Sequence, residues 1–244
     1  LVVYHYALDV NCEKEVQSLT TKLMVIDDLA DRHHECNLLL DQTYGRQKED
    51  YEGLIPDQCK VLVGSKHSLL RNEFAIYREP SLRRRSINQD LRSILISMGG
   101  SDKDNFTALV LKQLKNCSLP TYTEIKVVLA SSSPWIKDVT KISNLMPWKT
   151  EVIIDARSMA ELISKADLSI GAAGSTSWER CCLGLPTIQM VTADNQKFIA
   201  ESLASAGAIK LLENINELPA LIKTAPEWMI SVSKKSSLIT DGKG

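Results

Sequence analysis

The chain has 244 residues, 44% of them hydrophobic and 24% charged, with a formal net charge of −1. This is the composition of a folded α/β protein and not of a disordered chain. Near neutrality argues against a nucleic-acid partner, which would be held by an excess of Lys and Arg, and no apolar run approaches the ~20 residues needed to span a membrane. Six cysteines at positions 12, 36, 59, 117, 181 and 182 lack Cys-x-x-Cys spacing. No disulfide, metal or cofactor is therefore expected, and the expected compartment is the reducing cytoplasm.

In chain order, Leu1 to Tyr6 reads as a strand already in progress, which points to an upstream segment or a fusion. Strands are then expected at Lys22 to Ile26, Cys36 to Leu40 and Lys60 to Gly64, with helices near Cys12 to Leu19 and His67 to Ile76. Glu79 to Asp90 is polar and contains Pro80 and the run Arg83-Arg84-Arg85, the pattern of a solvated linker. The expected division is thus 1–78 for a partial first unit, 79–90 for the linker and 91–244 for a second unit.

The second unit counts six short strands: Ser93 to Ser97, Glu124 to Ala130, Glu151 to Ile154, Asp167 to Ile170, Thr187 to Val191 and Ala208 to Leu212. Each precedes a helical segment. Strict alternation predicts right-handed crossovers, a parallel sheet of Rossmann type, and ligands at the carboxyl ends of the strands.

Three loops then share that edge. After the first strand, Met98-Gly-Gly-Ser-Asp-Lys-Asp-Asn105 offers Gly99 and Gly100 for close backbone approach, with Ser101 and Asn105 as hydrogen-bonding groups. Asp104 or Asn105 could equally cap the next helix. After the fourth strand, Gly171-Ala-Ala-Gly174 is small enough to admit a ligand to the backbone, and Ser175-Thr176 opens a helix able to receive a diphosphate. Thr176 and Glu179 match a capping box, and Glu179 could instead, or as well, accept from both hydroxyls of a ribose. Gly184 and Pro186 mark the end of that short helix. After the fifth strand, Asn195 and Gln196 suit either sugar hydroxyls and acetamido groups or a helix cap near Asp194.

Several of these segments occur in order: Asp27-Asp-Leu-Ala-Asp-Arg-His-His34 through Asp41, Leu69-Leu-Arg-Asn-Glu-Phe74, Ser97-Met-Gly-Gly-Ser-Asp102, Gly171 to Pro186, Ala193-Asp-Asn-Gln196 and Asp241-Gly-Lys-Gly244. Together they resemble the UDP-sugar hydrolase family of pseudaminic acid biosynthesis. The resemblance implies two Rossmann-like domains of glycosyltransferase-B type, the first incomplete here, and hydrolysis of UDP-2,4-diacetamido-2,4,6-trideoxy-β-L-altropyranose to UDP and the free sugar. It implies no metal, and it puts Tyr6 against the sugar as the catalytic residue retained in this chain. The family's Gly-His loop, whose histidine is the general base, has no counterpart here, and its Val-Asp-His-Tyr motif reads Val3-Tyr4-His5-Tyr6. The expectation is a nucleotide-sugar enzyme with little activity in this segment. A transferase or epimerase of the same fold, or a non-catalytic nucleotide binder, is the alternative.

Overall fold

A computed structural model describes residues 1–87, 90–100 and 102–244. The chain divides into two compact units, Leu1–Leu69 with Lys243–Gly244, and Leu70–Gly242.

The first unit is a four-stranded parallel sheet with strands β1 (Val2–Val3), β2 (Met24–Ile26), β3 (Leu38–Asp41) and β4 (Lys60–Val63) side by side in chain order. Helix α1 (Val10–Gln17) connects the first two, started by Asp9, whose carboxylate accepts from the amides of Asn11 and Cys12. Leu23, Val25, Cys36, Leu39, Tyr51 and Cys59 form its core.

The second unit has six parallel strands: β5 (Ser93–Ser97), β6 (Glu124–Leu129), β7 (Lys149–Ile154), β8 (Leu168–Ala172), β9 (Thr187–Met190) and β10 (Lys210–Leu211). Their spatial order is β10-β9-β8-β5-β6-β7, so chain order reverses between β5 and β8. That is the doubly wound Rossmann order, with its switch point at those two strands. All six expected strands are present. Their buried apolar residues alternate between faces: Ile94 and Ile96 belong to one core with Val110, Leu111, Ile125, Val127 and Trp228, while Leu95 joins a second with Phe74, Ile163, Cys182 and Leu185.

The helices of this unit are α2 (Asn72–Ile87), α3 (Phe106–Leu114), α4 (Ile136–Ser143), α5 (Met159–Lys165), α6 (Thr176–Cys182), α7 (Lys197–Ser205), α8 (Leu218–Lys223) and α9 (Ala225–Ser236). As expected, α6 ends at Gly184 (φ +61°), where the Leu185 amide reaches back to the Arg180 carbonyl at 2.9 Å.

The segment expected to be a linker is helical as far as Ile87. Instead of ending near Ile76, α2 starts at Asn72 and runs through Pro80 and the three arginines. Pro80 is tolerated because it and Ile76, whose carbonyl it would otherwise bond, are both exposed to water. The arginines are largely engaged. Arg85 is buried, and donates to the carbonyls of Leu183 (3.0 Å), Ala166 (2.6 Å) and Ile163 (2.6 Å). Arg84 pairs with Asp167 and reaches Ala166 O at 3.2 Å, while Arg78 donates to Cys182, Thr240 (3.0 Å) and Ser237 (2.8 Å) carbonyls. These acceptors lie at or just past the C-termini of α5, α6 and α9, where carbonyls lack helical partners. Only Arg83, paired at 3.6 Å with an equally exposed Glu79, fits a solvated run.

Candidate functional site

At the switch point a cavity of about 230 Å³ opens among Ser97, Gly99, Gly100, Val128, Leu129, Ala130, Asp155, Ala156, Met159, Thr176 and Glu179. These residues follow, or sit at, the carboxyl ends of β5, β6, β7 and β8, where the parallel topology puts a ligand site. Of the residues expected from sequence, Gly99, Gly100, Thr176 and Glu179 are brought together here. Gly174 adjoins them through α6, and a side chain on it would meet the Gln196 amide nitrogen at 3.8 Å.

Gly99 adopts φ +85°, with open space where a Cβ would stand. Its amide and those of Gly100, Gly174, Ser175 and Thr176 have no acceptor among the described residues. They are donors available to an anion. Gly171 has a different role from the one expected. It belongs to β8, and a Cβ there would lie 2.7 Å from both Arg180 Nη1 and the Ser97 carbonyl. Close packing, rather than ligand access, requires glycine at 171.

The capping box is absent. Ser175 is the N-cap residue, in helical conformation and with no side-chain cap bond, while Thr176 Oγ1 accepts from Arg180 Nη1 at 3.0 Å. Glu179 is freed from capping, and its Oε2 is buried with no hydrogen-bond partner. Burial raises the carboxyl's proton affinity, a shift opposed by the nearby Arg71 and Arg180 charges. A buried carboxylate oxygen without a partner, on a residue that lines a cavity, calls for an explanation that the surrounding side chains do not supply.

The other expected residues are occupied differently. Asn105 caps α3, its side chain accepting from Ala108 N at 3.2 Å. Asp102 completes that cap, accepting from the Phe106 and Thr107 amides at 2.8 and 3.0 Å. Ser101 lies outside the described residues. Gln196 Oε1 accepts from Thr192 N and Oγ1 at 2.9 and 3.0 Å, leaving its amide nitrogen toward Gly174. Asp194 makes no cap hydrogen bond and instead pairs with Lys197 at 2.8 Å. Sequence reasoning missed Asp155, Ala156 and Met159, which follow the third strand of this unit and were findable only by extending the edge argument to every βα loop. Asp155 holds φ +48° and accepts from Ser131 N at 2.9 Å, a contact that keeps its pKa below the usual range.

The carboxyl edge of the first unit carries a separate polar cluster. Tyr6 donates its hydroxyl to Asp28 at 2.9 Å, and Arg32 bonds the Tyr6 carbonyl at 2.8 Å. Behind it, His34 is buried between Glu13 (2.8 Å) and Asp27 (3.7 Å). Burial alone would depress the imidazole, but its hydrogen bond to Glu13 and the flanking Asp27 and Glu13 charges prevail and raise its pKa to about 9. Burial likewise opposes ionisation of Asp27, yet the neighbouring His34 and bonds from the Ala30 amide and Tyr51 hold it well below the carboxylate range. Tyr51 also contacts Asp41, which Arg46 neutralises at 2.7 Å. His5 Nδ1 accepts from the Ala7 amide. Among the described residues no His, Cys, Asp or Glu cluster is arranged to hold a metal, and no helix is long and apolar enough to cross a membrane.

Comparison with known proteins agrees with this architecture. The chain is 29% identical over 208 residues to the UDP-2,4-diacetamido-2,4,6-trideoxy-β-L-altropyranose hydrolase of Campylobacter jejuni, covering 85% of this chain and 71% of that protein. It is 25% identical over 198 residues to the spore coat polysaccharide biosynthesis protein SpsG of Bacillus subtilis, covering 78% of this chain and 57% of SpsG. Among solved structures it is similar to Acinetobacter baumannii MurG, with TM-score 0.65 and 16% identity over 98% of this chain and 68% of MurG. It is also similar to UDP-GlcNAc 2-epimerase from Neisseria meningitidis, with TM-score 0.62 and 15% identity over 99% of this chain and 72% of the epimerase. No family model matches. The fold is therefore α/β, with two Rossmann-like units of glycosyltransferase-B type.

Proposed function

We propose that this chain binds a UDP-sugar at the switch point of its second unit and belongs to an enzyme that hydrolyses it to UDP and the free sugar. The observation that carries the reading is Glu179 Oε2, buried without a partner beside a cavity otherwise lined by backbone and small residues. A carboxylate there accepts from both ribose hydroxyls. The unpaired amides of Gly99, Gly100, Gly174, Ser175 and Thr176 suit the diphosphate. Since α6 has only seven residues, these individual N–H groups, and not a helix dipole, supply the attraction. The cavity is smaller than the about 300 Å³ minimum of sites enclosing a whole ligand, so it accommodates part of the sugar nucleotide.

The similarity to the Campylobacter hydrolase supports the diacetamido trideoxy sugar as substrate and water as acceptor. UDP leaves as a stabilised anion, so the chemistry asks for positioning and a water-activating base, with no general acid. Asn195 and Gln196 are assigned to the sugar's hydroxyls and acetamido groups on the chemistry of their amide side chains.

The test is calorimetric titration of the chain and its Glu179→Gln variant with UDP. Affinity should weaken by about 1.5–3 kcal/mol, the range for a hydrogen bond to a charged group, with the melting temperature unchanged. Equal affinities would remove Glu179 from the site, and no UDP binding by the parent would refute the reading. Incubating the protein with the UDP-sugar then separates hydrolysis, which releases free sugar, from epimerisation, which retains UDP on the product.

A further inference from the structure

Next to the β8–α6 loop lies a buried cation with no ion pair among the described residues. Arg180 is 3% exposed, and among the described residues no carboxylate comes within ion-pairing distance. Its Nη2 donates to the Ala172 carbonyl (2.6 Å) and Ser177 Oγ (3.3 Å), its Nη1 to Thr176 Oγ1 (3.0 Å), and its Nε is buried without a partner. The guanidinium lies against Gly171, at the last pairing of β8 with β5. The contrast with Arg85 is instructive. Arg85 is equally buried but spends its donors on three main-chain carbonyls at helix ends. Arg180 has one carbonyl and two hydroxyls, and one of those hydroxyls belongs to a cavity-lining residue.

We infer that Arg180 is the buried counter-charge of the proposed diphosphate site, acting through the Thr176 hydroxyl to favour anionic nucleotides over neutral nucleosides. This rests on the nucleotide reading above and adds a positioning residue to it. By donating to Thr176 Oγ1, Arg180 uses that oxygen as an acceptor and leaves its O–H, which has no acceptor among the described residues, to donate into the cavity. A buried cation without an ion pair is costly to the free protein, the Glu179 charge offsets it only from a distance, and a diphosphate at the neighbouring amides adds negative charge. Burial lowers the guanidinium pKa to about 10, which still leaves it charged at neutral pH.

The probes are UDP and uridine, titrated calorimetrically into the parent chain and into Arg180→Met, Arg180→Lys and Thr176→Val. Arg180→Met should lose about tenfold or more in UDP affinity while uridine stays within about twofold, because only the charged ligand feels the lost cation. Arg180→Lys should recover part of the UDP loss. Thr176→Val, which keeps the guanidinium buried, should weaken UDP by about fivefold and leave uridine unchanged, the loss of one hydrogen bond. Should Arg180→Met fail to fold, Thr176→Val decides by the same comparison. Parallel losses of both ligands, or unchanged UDP affinity in a folded variant, would make Arg180 a structural brace and overturn this inference alone. Failure of the parent to bind UDP would instead overturn the nucleotide reading, and this inference with it.

Discussion

The two units treat polar groups at a sheet edge differently. In the first unit, Glu13, His34, Asp27, Tyr51, Asp41 and Arg46 pair with one another within a buried network, and the atoms left there without hydrogen-bond partners, Asp27 Oδ1, His34 Nε2 and Arg32 Nε, belong to groups that still face opposite charges at 3.4 and 3.7 Å. In the second, Glu179 Oε2, Arg180 Nε, Gln189 Oε1 and Ser169 Oγ are buried without partners on or near β8, β9 and α6. An unpaired buried polar group costs roughly 1–3 kcal/mol, and Glu179 Oε2, which belongs to a cavity-lining residue, is the atom of this set that the proposed nucleotide would satisfy. The self-paired network signals stability tied to protonation.

The sharpest way to break this comparison is through α2, whose arginines are satisfied in place. Arg85→Met would leave the Ile163 carbonyl without its donor and take one donor each from Leu183, which keeps Ser81 Oγ, and Ala166, which keeps Arg84 Nη1; it should destabilise the second unit by about 4 kcal/mol, in the range for breaking a buried charged network. Urea denaturation measures it, and a change under 1 kcal/mol would show those carbonyls find other donors. The helix itself escaped the sequence reading for the same reason. Its inward face is the buried Phe74, Ser81 and Arg85 with the half-buried Arg78, spaced as a helix stripe but apolar at only one position. Strands were legible because their runs are apolar on both faces; a helix buried through guanidinium groups carries no hydrophobic period.

The second prediction concerns the first unit and pH. His34 has a folded pKa of about 9 against an unfolded value near 6.5. Because the folded value is raised, its contribution is complete below about pH 6.5 and is lost as pH rises through about 9, by about 3 kcal/mol. Amide exchange in β2 and β3 should therefore accelerate across that window. His34→Gln should flatten the dependence, and an equally steep profile in that variant would assign the titration elsewhere.

A smaller effect is expected at Gly171. Alanine there must displace the Ser97 carbonyl or the Arg180 guanidinium, each 2.7 Å from the new methyl, at a cost of about 2 kcal/mol, typical of overpacking. A neutral thermal shift would mean that β5 and β8 separate more easily than their pairing suggests. The smallest is Arg83→Ala, which should change stability by under about 0.5 kcal/mol, because its partner is as exposed as itself. A loss comparable to that of Arg85→Met would erase the distinction between the adjacent arginines.

The candidate site was legible in part. Parallel alternation placed Gly99, Gly100, Thr176 and Glu179 on one edge, since topology follows from element order. The hydrogen-bonding roles were less visible. The Thr176 and Glu179 spacing fits a capping box, but the helix starts with Ser175 as N-cap, which leaves the pair without that geometry. Asn105 became a cap, and Asp102 proved its partner, because in a tight loop a short side chain reaches the following amides before it reaches a ligand. Arg180 gave no signal at all: an arginine in a helix reads as surface until the strand beneath it is known.

Hydrogen–deuterium exchange of the chain with and without saturating UDP tests the central claim most directly, since it compares both edges in one experiment. The account predicts slowed exchange at Gly99, Gly100, Gly174, Ser175 and Thr176, whose amides have no acceptor among the described residues, with β2 and β3 unchanged. Measurable UDP binding with no protection in those two loops, or with protection confined to the first unit, would contradict it.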